Sequence, residues 1–134
     1  MQYWLVKSEP SAYSWERLLR EGKVIWDGVR NYAARNNLRN MKQGDQVLFY
    51  HSNEGLAVTG IAKVSREAFQ DPGTKEDWSA VELVPFKTLK KPVTLSVIKS
   101  DKRLQNIYLV RQGRLSVMPL EKEAFVIITT LGNK

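Results

Sequence analysis

Polar, charged and aromatic side chains collect at the ends of the apolar runs in this chain, where they would be free to meet a ligand. Lys7-Ser8-Glu9-Pro10 follows the run Tyr3–Val6, and the proline, which lacks an N–H, keeps that run from continuing as a strand. Trp26-Asp27-Gly28-Val29-Arg30-Asn31 sets a tryptophan, a carboxylate, a guanidinium and an amide around one tight turn. His51-Ser52-Asn53 ends the run Val47–Tyr50. Arg114-Leu115-Ser116-Val117-Met118-Pro119 alternates, so Arg114, Ser116 and Met118 are expected to share one strand face. These are the groups a pocket for a nucleic-acid base needs. A π-face stacks on the base, worth ~1–3 kcal/mol per base in single-strand binding proteins. Hydroxyls, amides and carboxylates read its edge, and arginine or lysine holds the phosphate. Each group also has a plainer use: Trp26 in a core, Asp27-Gly28 as a turn, Ser8 and Ser116 as caps, His51 as a hydrogen-bonded structural residue.

Other chemistries find little here. There is one histidine, His51, and no cysteine, which leaves no two-histidine metal motif, no thiolate ligand, no cysteine nucleophile and no disulfide framework. No Gly-x-Ser-x-Gly elbow, Walker loop or Rossmann glycine pattern occurs, and no carboxylates stand at ligand spacing. Catalytic residues, metals and cofactors are therefore not expected. The first residues carry neither a basic segment nor a long apolar one, and no run reaches the ~20 apolar residues of a membrane span. A cytoplasmic, membrane-free monomer is expected, since no heptads and no apolar surface stripe stand out.

The charge of +7, with a pI of about 9.7, is unevenly spread. Between Phe86 and Arg114 stand Lys87, Lys90, Lys91, Lys99, Lys102, Arg103, Arg111 and Arg114 against a single acid, Asp101. Arg30, Arg35, Arg39 and Lys42 form a second stretch with no acid. Nucleic acid is the commonest partner for such asymmetry, because each neutralised phosphate releases counterions. A solubilising surface is the competing explanation. Arg35, Arg39, Lys87, Lys90 and Lys91 are assigned to a phosphate-binding surface.

The elements that must position these groups are short. Strands are expected at Tyr3–Val6, Val47–His51, Leu56–Val64, Ser79–Phe86, Tyr108–Val110 and Leu115–Met118, the last stopped by Pro119. Val24–Trp26 is a brief apolar piece before the Asp27-Gly28 turn. Gly60 within a strand marks a bulge that curves the sheet. Ser14 and Gly22 bracket one helix, supported by a Glu16–Arg20 pair, and Asn31 caps a second through Leu38. Pro92 and Thr94 open a short helix Leu95–Ile98, and Glu121–Leu131 closes the chain as a helix capped by Gly132. No repeat or linker divides the 134 residues, so one domain is expected. About six short strands with short helices between them define an α+β domain built on a curved sheet or barrel, not a doubly wound sheet.

Tyr3-Trp-Leu-Val-Lys-Ser-Glu-Pro10, Trp26-Asp-Gly-Val-Arg-Asn-Tyr-Ala-Ala-Arg-Asn36, Met41-Lys-Gln-Gly-Asp45, Leu48-Phe-Tyr-His-Ser-Asn53 and Arg114-Leu-Ser-Val-Met-Pro119 together resemble the EVE domain family. The match runs in family order from Tyr3 to the final helix. The resemblance implies the PUA-like fold, a small mixed β-barrel with flanking helices. It also implies nucleic-acid binding, with a modified base flipped into an aromatic pocket. Related YTH domains read methylated adenine, and eukaryotic EVE relatives are associated with modified cytosine in DNA. It further implies a Lys-Ser pair after the first strand and a tryptophan on the pocket wall, here Lys7, Ser8 and Trp26. Glu9, Asp27, Arg30, Asn31, His51, Ser52, Arg114, Ser116 and Met118 join the base-binding set by matching motif and polarity. The segment between Phe69 and Trp78 is shorter than in many relatives, and the YTH cage aromatics have no clear counterparts beyond Trp78 and Tyr50. Two alternatives stand beside the reader. ASCH-type relatives are small amidohydrolases, for which Lys7 and Glu9, two apart on a strand, would share a face. A basic adaptor would bind RNA without discriminating bases.

Overall fold

The computed structural model describes residues 1–134. Six strands form one sheet: β1 (Tyr3–Ser8), β2 (Val24–Trp26), β3 (Gln46–His51), β4 (Ala57–Gln70), β5 (Ser79–Thr94) and β6 (Val117–Leu120). Their spatial order is β2-β5-β4-β3-β1-β6, with β1 parallel to β3 and every other pair antiparallel. Five helices flank it: α1 (Trp15–Glu21), α2 (Tyr32–Asn40), α3 (Leu95–Ser100), α4 (Tyr108–Arg111) and α5 (Lys122–Gly132).

The sheet is buried on both faces, which is why its strands read as continuous apolar runs. Side chains alternate across a strand. Trp4, Val6, Val47, Phe49 and Val117 point into one core with Trp15, Trp26 and Leu38, while Leu5, Leu48, Tyr50 and Met118 point into the other, under Phe125, Ile127 and Ile128 of α5. Burial on this scale, ~25 cal/mol per Å² of apolar surface, holds the fold without disulfides.

The curvature is written into β4 and β5. The register between them shifts four times, and each shift adds twist. One falls at Thr59, beside the glycine expected to mark a bulge. Gly60 has a second reason to be glycine: a Cβ there would collide with the Trp15 ring. The shifts also explain why both strands run well past their expected ends. Phe86 is the extra residue opposite Ile61 and Ala62, so Pro85 sits at a break in the ladder and the strand continues through it. Pro119 likewise lies inside β6 rather than stopping it, because β6 is an edge strand paired only with β1. Tyr108–Val110 forms part of helix α4, not a strand. The supporting pair on α1 is Arg17–Glu21, at 3.1 Å, in place of Glu16 with Arg20.

Hydrogen bonding does not join β2 to β6, so the expected barrel is an open, strongly curved sheet. Helix α2 packs on β6, β5 and β4 across that opening. Asn37 Nδ2 donates to the Val117 carbonyl at 2.7 Å, and Arg39 Nε donates to Ser79 Oγ at 2.8 Å, fastening α2 to strands near opposite margins. Buried Asp45 fixes the start of the sheet, accepting from Trp4 Nε1 and from the Gln2 and Lys42 amides at 3.0–3.1 Å. None of the helices is long and apolar enough to cross a membrane.

Candidate nucleic-acid interface

A cavity of about 630 Å³ opens where the end of β1 meets β2 and the turn that follows it. Eight of the sequence-selected residues line it: Lys7, Ser8, Glu9, Trp26, Asp27, Arg30, Asn31 and Ser116. Tyr13, Val24, Ile25 and Val29 complete an apolar wall that the sequence did not single out. Small-molecule pockets typically span ~300–1,000 Å³, so this cavity has the volume of a nucleoside-sized site.

Trp26 serves two purposes at once. It is 9% exposed and meets Phe49 edge-to-face at 5.6 Å, so much of the indole belongs to the core, yet it still forms part of the cavity wall. Gly28 turns the chain directly after it with φ +74°, a conformation costly for side-chain-bearing residues.

The turn is clamped from outside by Asp71, which nothing in the sequence singles out beyond its place in an Asp-Pro-Gly loop. Its buried carboxylate accepts from Gly28 N at 2.9 Å, Gly73 N at 2.7 Å and Arg30 Nη1 at 2.9 Å. Burial alone would raise its pKa. The Arg30 bond and the two backbone bonds outweigh burial and hold the carboxyl below its usual range. Arg30 is thus tied to the protein on one side and half exposed on the other.

Several polar groups at the rim are also structurally engaged. Lys7 Nζ donates to the Gly113 carbonyl at 2.8 Å, and burial pulls its pKa down. Ser8 Oγ donates to the Tyr13 carbonyl at 2.6 Å. Asn31 Oδ1 accepts from Ala34 N at 2.9 Å as the cap of α2, which leaves its amide nitrogen for a ligand. Asp27 and Glu9 are exposed at the mouth.

Four selected residues lie outside the cavity lining. His51 Nε2 accepts from the Trp15 amide at 3.0 Å and so anchors the first turn of α1; burial lowers its pKa, partly opposed by Glu16. Ser52 donates its backbone N–H to the Ser8 carbonyl. Met118 is fully buried in the core beneath α5. Arg114 is exposed in a turn, because β6 starts only at Val117, and the expected common face of Arg114, Ser116 and Met118 does not form.

The two groups of basic residues part company. Arg35 and Arg39 both reach the Asp77 carboxylate, at 3.4 and 2.5 Å, next to the cavity's Asn31 end. Lys87, Lys90 and Lys91 are exposed on β5 beyond its pairing with β2, apart from the cavity.

An open mixed sheet of this order, closed by one helix and backed by another, is a PUA-like α+β fold. The chain belongs to the EVE domain family, whose pattern it matches over residues 2–131. It is 35% identical to human thymocyte nuclear protein 1 over 98% of this chain and 74% of that protein. The aligned 167 positions exceed this chain's length, so the human protein carries insertions relative to it. The crystal structure of human THYN1 in complex with 5-methylcytosine-containing DNA superposes with a TM-score of 0.92 at 34% identity, covering 100% of this chain and 99% of that one. Protein Atu2648 from Agrobacterium tumefaciens superposes at 0.96 with 40% identity, over 98% and 93% of the two chains. The YTH domain of Zygosaccharomyces rouxii MRB1 shares the fold at a TM-score of 0.64 and 16% identity, over 99% and 87%.

Proposed function

We propose that this chain is a single-domain binding module that reads a modified base in nucleic acid, flipped into the cavity beside Trp26, without transforming it. The observation that carries this is the cavity itself: a nucleoside-sized space lined by Trp26 and a polar rim, in a fold shared at 34% identity with a protein crystallised on 5-methylcytosine DNA. Modified cytosine is accordingly the favoured class of base. Adenine is the alternative base.

In this scheme Trp26 offers the π-surface, and Ser8, Asp27, Asn31 and Ser116 surround the base edge. Lys7 and Arg30 supply positive charge at the mouth, beside Glu9. Arg35, Arg39 and the β5 lysines Lys87, Lys90 and Lys91 follow the phosphates. Extracting a base costs a few kcal/mol of stacking and pairing, which the enclosed contacts must offset. A monomer suffices, since the cavity is lined by one chain. The lack of cysteine fits a reducing compartment such as the cytoplasm.

The test is a titration against matched DNA and RNA strands, single and double, carrying plain cytosine, 5-methylcytosine, plain adenine or methylated adenine, at two salt concentrations. Tighter binding of one modified base, kept at both salts, is expected. Equal, strongly salt-dependent binding to all of them would leave only a basic surface.

A further inference from the structure

Next to the cavity stands a pair of rings that the base-reading scheme leaves unused. Tyr32 follows Asn31 of the cavity lining directly and is 68% exposed, an unusual state for a large aromatic. Its ring stacks on Trp78 with centroids 5.2 Å apart and planes 18° from parallel. Two guanidiniums attend the pair. Arg30 lies 5.5 Å from the Trp78 ring, and Arg35 lies 5.0 Å from Tyr32 and 5.8 Å from Trp78. The separations of 5.0, 5.2 and 5.8 Å form a nearly equilateral triangle, so Arg35 sits beside the stack rather than beyond Tyr32. The outer face of Tyr32 is therefore open to solvent.

We infer that the outer face of Tyr32 is a second stacking site, which takes the base of a nucleotide adjoining the one in the cavity. The inference rests on the base-reading function proposed above and assigns the flanking contact of the same strand. Arg30 connects the two sites physically: it lines the cavity, bonds to Asp71 and faces Trp78. A flat aromatic face bordered by arginines suits a nucleobase, since every base has a π-face and its phosphates meet the cations. Tyr32 already stacks on Trp78, with Arg35 beside the two rings and paired to Asp77, so the platform is in place before a base arrives. Such a site is tolerant of sequence, because stacking does not read hydrogen-bonding edges.

The experiment uses a short single-stranded DNA with one central 5-methylcytosine, and the same strand made abasic on the 5′ or the 3′ side of it. Wild type should lose about fivefold or more in affinity when one of the two flanking bases is removed. Tyr32→Ala should lose a similar factor on the intact strand and nothing further on that abasic strand, as expected of coupled partners. Tyr32→Phe should bind like wild type, and all three proteins should keep the same preference for 5-methylcytosine over cytosine. Tyr32 is exposed, so its substitution leaves both cores intact. Wild-type affinity in Tyr32→Ala, or an abasic penalty that persists in that variant, would overturn the platform alone. Failure of wild type to bind any strand would overturn the base-reading function, and the platform with it.

Discussion

Replacing Asp71 with alanine removes the clamp that holds the cavity's Asp27–Asn31 wall. Three hydrogen bonds disappear, from Gly28, Gly73 and Arg30, at 2.7–2.9 Å. Bonds to a charged group are each worth ~1.5–3 kcal/mol when buried. Gly28 and Gly73 are exposed, so water replaces part of what they lose, and half-exposed Arg30 contributes only ~0–1 kcal/mol as a screened ion pair. The expected loss is ~2–4 kcal/mol in all. Urea unfolding should show it as a lower midpoint with an unchanged slope. Affinity for methylated strands should fall as well, since Gly28 and Arg30 belong to the wall. The pH dependence follows from the lowered pKa. The folded carboxyl releases its proton more readily than the unfolded one, so the clamp contributes fully above pH ~4 and is lost as pH falls further. Asp71→Asn should remove that acid-side loss. A wild-type midpoint and wild-type binding in Asp71→Ala would refute the role of this carboxylate.

Gly60→Ala should destabilise the protein by more than the ~1–3 kcal/mol of ordinary overpacking, because the Trp15 indole is buried and its Nε1 is bonded to Thr88; thermal unfolding measures it. His51 is neutral when it accepts the Trp15 amide, and its pKa is lowered, so the α1 anchor persists above pH ~6.5 and is lost as pH falls through the folded pKa. NMR titration of its ring, with His51→Gln as control, reads this directly. Asn31→Ala should remove the α2 cap at ~1 kcal/mol and loosen the cavity's far wall. Lys90→Gln with Lys91→Gln should weaken binding to every strand alike and lower the salt slope by ~0.9 for each phosphate no longer neutralised.

Much of this architecture was legible in the sequence because the relevant signals are local. Ser14 and Asn31 cap their helices as their types demand, and the apolar runs are strands because both faces of the sheet are covered. What failed depended on distant partners. Proline reads as a stop, but Pro119 is harmless on an edge strand, a fact visible only once the pairing is known. Polarity at element ends found eight cavity residues, because the ends of β1 and β2 converge there. It also gathered His51, whose partner Trp15 lies 36 residues away in sequence, and Met118, which packs with α5, and neither of these lines the cavity. Asp71 was illegible for the same reason: the amide it receives lies 43 residues upstream.

If discrimination between bases resides in the Trp26 cavity, filling that cavity must abolish it. Trp26→Ala would confound the test, because that ring also packs on Phe49 in the core. Ser116→Leu, which fills the cavity from its half-buried rim, is the better variant. The deciding measurement is the ratio of dissociation constants for cytosine and 5-methylcytosine in otherwise identical DNA, for wild type and Ser116→Leu, with unfolding curves showing both folded. The ratio should stand well above one in wild type and collapse towards one in the variant, while residual salt-dependent binding survives. A preference that is unchanged when the cavity is filled would place discrimination elsewhere and contradict the assignment.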